Sequence, residues 1–174
     1  RPWSQLLVLV RKNREAMELA QSLLAQGIPV VTENSLLLAQ QSLVIQSLAF
    51  LRFLLLHDQL ALAIVLKGEI LGGLPELADK FSLSTLCDHY LQSQDVTLEQ
   101  CCTELWPKLW QQYFANFARS ACLLSPYDLL SEWYRFLQVG QRFPQERIFI
   151  RRLLEILHTA EDEGAGTISA FLEY

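Results

Sequence analysis

The apolar and polar positions at the start of the chain predict a strand, a helix and a second strand. Leu6–Val10 is an uninterrupted apolar run of strand length, typical of a strand buried on both faces, and it ends at charged Arg11. Asn13 can cap a helix whose apolar residues recur every three or four positions until Gly27 ends it. Ile28–Val31 supplies the second strand. Together they predict a βαβ unit, with Arg11 in the ligand-binding crevice beyond the carboxyl end of the first strand.

From residue 35 onward the periodicity is helical and glycine is scarce. The segment 42–56 is apolar on almost every face, which predicts a helix at the centre of the remaining body, with Leu48, Leu51 and Leu55 buried. Arg52 interrupts this segment. Because arginine is seldom fully buried without a partner, we expect Arg52 to lie at the rim of the core, paired or extended to solvent.

Capping residues and helix breakers predict the other helices. A helix over 59–71 is predicted to end at Gly72-Gly73, and Ser82 or Ser84 is predicted to begin a helix that runs to about Leu91. The Thr97/Gln100 capping box begins the next helix, and Pro107 should break it. Ser125-Pro126-Tyr127-Asp128 is a further helix start, and a last long helix is predicted over 144–163. The predicted fold class is therefore mainly α, with a helical bundle-like domain preceded by a short βαβ unit. The predicted domains are residues 1–34 and 35–174.

A mostly aromatic series lies at helical spacing around Pro107: Trp106, Leu109, Trp110, Tyr113, Phe114 and Phe117. Such a stripe can stack the bases of single-stranded DNA. Burial in the core is the preferred interpretation, because each ring offers a large apolar area.

Charge and composition narrow the possible functions. The chain has 174 residues, 51% of them hydrophobic, and a net charge of −5, with ten basic and sixteen acidic residues over 35–174. A region with this net negative charge does not attract DNA over its whole surface, so contact with DNA phosphates would need a local basic patch. Arg142, Arg147, Arg151 and Arg152 form the one basic cluster there. A solvated helix face is the favoured interpretation, because Glu155 can pair with Arg151.

The sequence lacks several kinds of catalytic and metal-binding pattern. No Gly-x-x-x-x-Gly-Lys-Ser/Thr loop is present to hold a β-phosphate, nor a pair of acids to hold Mg²⁺, so we expect no ATP hydrolysis by this chain alone. The three histidines lie far apart, and His57-Asp58 resembles a junction between helices. The spacing of the four cysteines matches no zinc-binding or redox motif. They are predicted to be buried in the fold as free thiols of a protein in the reducing cytoplasm: Cys87, Cys101, Cys102 and Cys122. We also expect no membrane span and no signal peptide.

Four segments resemble a known family. Leu-Val-Leu-Val-Arg-Lys-Asn-Arg-Glu-Ala over 7–16, the later Gly-Ile-Pro-Val-Val over 27–31 and the helix with Leu-Ala-Phe-Leu-Arg-Phe-Leu over 48–54 resemble superfamily 1 DNA helicases of the UvrD-like group. Within that group the RecB/AddA type is the most similar. The tail Gly-Thr-Ile-Ser-Ala-Phe-Leu-Glu-Tyr over 166–174 resembles the stretch before the family's next motor motif.

The resemblance implies a part of a larger enzyme. Residues 1–34 would be the edge of the second RecA-like motor domain, with Arg11 as the catalytic arginine that reaches the γ-phosphate and Lys12 in place of the usual Thr. Residues 35–174 would be the helical 2B insertion, which in the family contacts DNA or a partner subunit. ATP and Mg²⁺ would be held by the parent enzyme, with no cofactor in this part.

One departure from the family changes the expected partner. The Gly-Ile-Gly loop that contacts the DNA backbone in UvrD is absent, and Gly72-Gly73 does not replace it. This favours the RecB/AddA type and a partner helicase or nuclease subunit. A free-standing helical module for protein interaction, without enzymatic activity, remains the alternative.

Overall fold

A computed structural model describes residues 8–28, 38–74, 82–92 and 96–173. The chain divides into two compact units, Arg1–Gln41 and Ser42–Tyr174. The boundary predicted between residues 34 and 35 falls outside the described residues and stays a prediction.

The first unit contains the predicted helix. Helix α1 spans Asn13–Ala25, and Gly27 follows it with a φ of +75°, a left-handed conformation that favours glycine. The N–H of Ile28 donates to the carbonyl of Leu23 at 3.0 Å, which satisfies one of the carbonyl groups left open at the helix end. The helix and its glycine stop are confirmed.

The predicted βαβ unit is not supported. Val8–Val10 has no regular secondary structure, and Val8 and Leu9 are 61% and 86% exposed, so the prediction of a doubly buried strand is wrong for these residues. No strand occurs anywhere in the described ranges. A strand is stable only when its backbone groups pair in a sheet, and an apolar run by itself supplies no partner. Leu6, Leu7 and the second predicted strand beyond Ile28 lie outside the described residues.

The second unit is helical, which confirms the mainly α class. Its helices are α2 Ser42–Leu56, α3 Gln59–Lys67, α4 Glu69–Gly72, α5 Leu83–Gln92, α6 Leu98–Leu105, α7 Pro107–Trp110, α8 Asn116–Ser120, α9 Pro126–Phe136, α10 Val139–Arg142, α11 Arg147–Asp162 and α12 Ile168–Glu173. A π-helix, Gln111–Ala115, joins α7 to α8, and a 3₁₀ turn, Pro144–Glu146, precedes α11.

Helix α2 lies at the centre of this unit, as predicted. Phe50 stacks on Trp133 of α9 with ring centroids 4.1 Å apart, and both side chains are buried. Leu51 is also fully buried, whereas Leu48 is half-buried and Leu55 is exposed. The prediction for Leu55 is wrong because α2 is apolar on nearly every face, so composition does not reveal which face meets solvent.

The aromatic series after Pro107 belongs to the core. Tyr113, Phe114 and Phe117 are buried, and Phe117 meets Phe50 edge to face at 5.8 Å. Core burial is therefore confirmed for these three rings, while Trp106, Leu109 and Trp110 are only half-buried.

The local start signals are accurate. Thr97 forms the predicted capping box with Gln100 at α6, and Ser125 accepts from the N–H of Asp128 at α9. Asp58 was predicted only as part of a junction between helices, and it also caps α3. Ser82 accepts from the N–H of Thr85 at the start of α5. Pro107 separates α6 from α7 as expected. The predicted helix over 59–71 is instead interrupted at Gly68, where the backbone is extended.

Candidate functional site

Arg11 lies in a bend immediately before α1, and its side chain is exposed. The exposure agrees with the prediction, but the three residues before it form no strand. The position of Arg11 relative to a nucleotide depends on a second motor domain and stays a prediction.

The first of the four clustered arginines stabilises the fold. Arg142 donates to the carbonyl oxygens of Ile70 at 2.7 Å, Glu69 at 3.1 Å and Leu137 at 3.3 Å. These bonds tie α10 to α4 and use carbonyl groups that a short helix cannot pair internally. Burial lowers the pKa of the Arg142 guanidinium from its ordinary value.

The other three arginines also have partners within the chain. Arg147 donates through Nε to the carbonyl of Gly140. Arg151 and Arg152 both pair with Glu155, at 3.0 and 3.3 Å, so the predicted Arg151 to Glu155 pair is confirmed. A phosphate would have to compete with these partners, and contact between the four arginines and DNA stays a prediction.

The cysteines divide into two classes. Cys101 and Cys102 are buried in α6 as predicted, and burial raises the pKa of the Cys102 thiol to about 12. Cys87 and Cys122 are exposed, so the prediction of burial is wrong for these two. The prediction rested on the residue type, which does not show the face of a helix on which Cys87 lies or that Cys122 lies in a turn. No group of three or more potential metal ligands occurs among the described residues.

A cleft of about 280 Å³ lies beside the junction between α2 and α3, and we call it the His57 cleft. Side chains from α2, α6, α7, α8 and the π-helix surround it. Its lining residues are Phe53, Leu54, His57, Glu99, Trp110, Gln111, Ala115, Ala118 and Arg119.

One wall of the His57 cleft is a polar link between distant segments. His57 has a φ of +50°, and its Nδ1 lies 2.9 Å from a carboxylate oxygen of Glu99. Gln59 accepts from the N–H of Glu99 at 3.3 Å and donates to the carbonyl of His57 at 2.8 Å. A left-handed non-glycine residue is uncommon and costs conformational energy, which the surrounding contacts must offset.

Another part of the lining comes from the π-helix and the residues beside it. Trp110 stacks on Phe114 with centroids 4.7 Å apart, and Phe53 meets Trp110 edge to face at 5.8 Å. Gln111 and Arg119 both donate to the side-chain oxygen of Asn116, one turn away from each. Short π-helices are rare and recur at functional sites, so the cleft combines two uncommon backbone features.

The sequence identified only part of this cleft. The His57-Asp58 junction was predicted. The hydrogen bond between His57 and Glu99 joins residues 42 positions apart, and no local sequence pattern indicates it. The spacing of the apolar residues does not indicate the π-helix either, because its residues continue the helical series that begins at Pro107.

Comparison with known proteins found no matching family model, no matching curated protein and no matching solved structure. The likeness to UvrD-like helicases therefore rests on the sequence segments alone. Among the described helices, none has the length and apolar character needed to cross a membrane.

Proposed function

We propose that this chain is part of a cytoplasmic, ATP-dependent superfamily 1 DNA helicase of the RecB/AddA type. In this proposal Arg11 serves an ATP site whose phosphate-binding loop and Mg²⁺ ligands belong to the rest of the parent enzyme. The helical unit acts as the 2B insertion. The observation that carries the proposal is the motif ending in Arg11-Lys12-Asn13, with Arg11 exposed directly before α1.

An exposed arginine is suited to act on a nucleotide bound by another domain. A guanidinium group placed against the transferred phosphoryl stabilises the charge of the transition state. Such a group must be free to reach out of its own domain, and the exposure of Arg11 meets that requirement. The absence of a strand at Val8–Val10 does not support the motor-domain assignment, which therefore depends on the motif.

For the helical unit we favour contact with a partner subunit over direct contact with DNA. All four clustered arginines have intramolecular partners, and the region from residue 35 onward is acidic. Exposed leucines lie instead near the end of α2 and the start of α3: Leu55, Leu56 and Leu60 are 37%, 58% and 71% exposed. Clustered exposed apolar side chains are typical of protein interaction surfaces.

The same leucines favour the second candidate function, a helical protein-interaction module without enzymatic activity. Both candidates require a partner, but only the helicase requires motor motifs elsewhere in the same polypeptide.

The complete reading frame distinguishes the two candidates. The helicase proposal predicts a Gly-x-x-x-x-Gly-Lys-Ser/Thr loop encoded upstream of Arg1 and further motor motifs downstream of Tyr174. Determining the full transcript and the mass of the native protein tests this. A mature protein without a phosphate-binding loop would reject the helicase and leave the interaction module.

A further inference from the structure

We propose that the His57 cleft binds an aromatic carboxylate, with the aromatic ring beside Trp110 and the carboxylate on Arg119. This ligand chemistry follows from three properties of the cleft: its size, its apolar lining and an arginine, Arg119, that forms no ion pair within the described part of the chain.

The size of the cleft suits one aromatic ring with a short acidic chain. An apolar cavity of roughly 150 Å³ is enough to hold benzene. The His57 cleft has a volume of about 280 Å³, which leaves room for a carboxylate and its linker. It is much smaller than a groove for a folded partner.

The floor of the cleft suits a planar apolar group. Phe53, Leu54, Ala115 and Ala118 supply apolar surface, and Trp110 adds a large ring. Phe114 already stacks on Trp110 at 4.7 Å, which holds the indole in a fixed orientation. A ring that is fixed before binding loses little conformational entropy when a ligand ring packs against it.

Arg119 is the one lysine or arginine among the residues that line the cleft. Arg119 donates to two neutral acceptors, the side-chain oxygen of Asn116 and the carbonyl of Ala115, and it forms no ion pair with any acidic side chain in the described part of the chain. Glu99, the carboxylate of the cleft, is bonded to His57. A ligand carboxylate can accept from the guanidinium group in a paired geometry that a neutral group cannot match.

These features favour a single carboxylate over a nucleotide. A phosphate group carries more negative charge and would lie in the same cleft as Glu99, with Arg119 as the one cationic lysine or arginine in the lining. Aromatic carboxylates occur both as free acids and as the C-terminal phenylalanine or tryptophan of a polypeptide. The experiment separates these two sources.

Isothermal titration calorimetry on the chain Arg1–Tyr174 tests the proposal with four probes. They are 3-phenylpropionate, its neutral amide, a hexapeptide with a free C-terminal phenylalanine, and thymidine monophosphate. We expect saturable binding of 3-phenylpropionate or of the peptide, and binding of the amide at least about tenfold weaker, since hydrogen bonds to charged groups contribute that much. Tighter binding of 3-phenylpropionate would identify a free acid as the ligand, and tighter binding of the hexapeptide would identify the C-terminus of a polypeptide.

Matched variants locate the site. Arg119→Gln should weaken binding of the acid about tenfold, the loss of a charge-assisted pair. Arg135→Gln removes the same charge from an exposed arginine of α9 that does not line the cleft, and it should leave the affinity within about twofold. Circular dichroism and the melting temperature of each variant verify that it folds.

Four results would overturn the proposal. They are the absence of saturable binding by either acid, equal binding of acid and amide, an unchanged affinity in folded Arg119→Gln, and binding of thymidine monophosphate in preference to both acids.

Discussion

At the scale of single residues, the buried amide of Gln46 explains why α3 ends at a glycine. Gln46 is 3% exposed; its side-chain nitrogen donates to the hydroxyl of Ser42 at 2.8 Å, and its oxygen accepts from the N–H of Ile70 at 2.9 Å. A Cβ atom at Gly68 would lie 2.1 Å from that oxygen. The space beside Gly68 is therefore filled by a side chain that satisfies the first turn of α4.

Gly68→Ala should lower the free energy of unfolding by about 1–3 kcal/mol, because displacing Gln46 leaves the buried N–H of Ile70 without its partner. The φ of Gly68 is −71°, so backbone strain does not contribute. Urea denaturation of the wild-type chain and the variant measures the change.

A double-mutant cycle identifies the cause. In a Gln46→Ala background the methyl group has space, so the additional cost of Gly68→Ala should be much smaller. Gly166→Ala is the matched control, since Gly166 has no neighbouring atom within 4 Å of an added Cβ, and its effect should stay within about 0.5 kcal/mol. Equal costs of Gly68→Ala in both backgrounds would contradict the account.

Sequence reasoning at this scale found charged partners but missed buried polar ones. Arg52 was expected to be paired or extended to solvent, and its Nε lies 2.7 Å from a carboxylate oxygen of Asp58, six residues away. The bond between Gln46 and Ile70 joins two helices, and nothing in the spacing of a glutamine reveals that its side chain is buried. Local electrostatics can be read from sequence, whereas the environment of a buried amide depends on the assembled fold.

At the scale of secondary-structure elements, Asp58 links the end of α2 to the start of α3. Its carboxylate accepts from the N–H groups of Leu60 at 2.9 Å and Ala61 at 3.2 Å and pairs with Arg52. The backbone hydrogen bond from Ala61 is the main cause that lowers the pKa of Asp58 below its usual 3.8, and the bond from Arg52 adds to it.

This pKa shift predicts a pH dependence of stability. Because the folded state favours the charged carboxylate, Asp58 stabilises the protein above the ordinary pKa, and that contribution is lost as pH falls below about 3.8 through the folded value. Asp58→Asn keeps a capping oxygen but does not titrate. The difference in melting temperature between wild type and Asp58→Asn should therefore be largest near pH 7 and shrink below about pH 4. A difference that is constant from pH 7 to pH 2 would refute this role.

Elements with local signals were predicted, and elements set by tertiary packing were not. Thr97 and Ser125 mark predicted helix starts because their side chains bond to N–H groups three residues away. The break at Gly68 depends on the side chain of Gln46 from another helix, and no local pattern marks the π-helix Gln111–Ala115. The strand expected at Leu6–Val10 required a sheet, and an apolar run does not establish that a pairing partner exists.

At the scale of the whole molecule, the sequence predicted the content of the helical core better than its surface. The rings of Tyr113, Phe114 and Phe117 were assigned to the core correctly, because their large apolar area favours burial. The His57 cleft was not predicted, since it requires residues 53–57, Glu99 and the segment 110–119 to meet. Which side chains surround a cleft is a property of packing between helices.

The central claim for the whole molecule is that Arg11 acts on ATP in the parent helicase. A charge-stabilising arginine acts mainly on the transition state, so its loss should reduce kcat far more than it weakens binding of nucleotide or DNA. Arg11→Lys should restore little activity, because an ammonium group cannot reproduce the planar guanidinium. Arg135→Ala, which removes an exposed arginine of α9, is the matched control.

The most direct test is steady-state ATP hydrolysis by the intact parent enzyme with saturating DNA, with the affinity for ADP measured alongside. The account predicts that Arg11→Ala lowers kcat on the order of 10³-fold, with ADP affinity nearly unchanged and Arg135→Ala close to wild type. If Arg11→Ala hydrolyses ATP within a few-fold of the wild-type rate, Arg11 is a surface residue and the helicase proposal for this chain is contradicted.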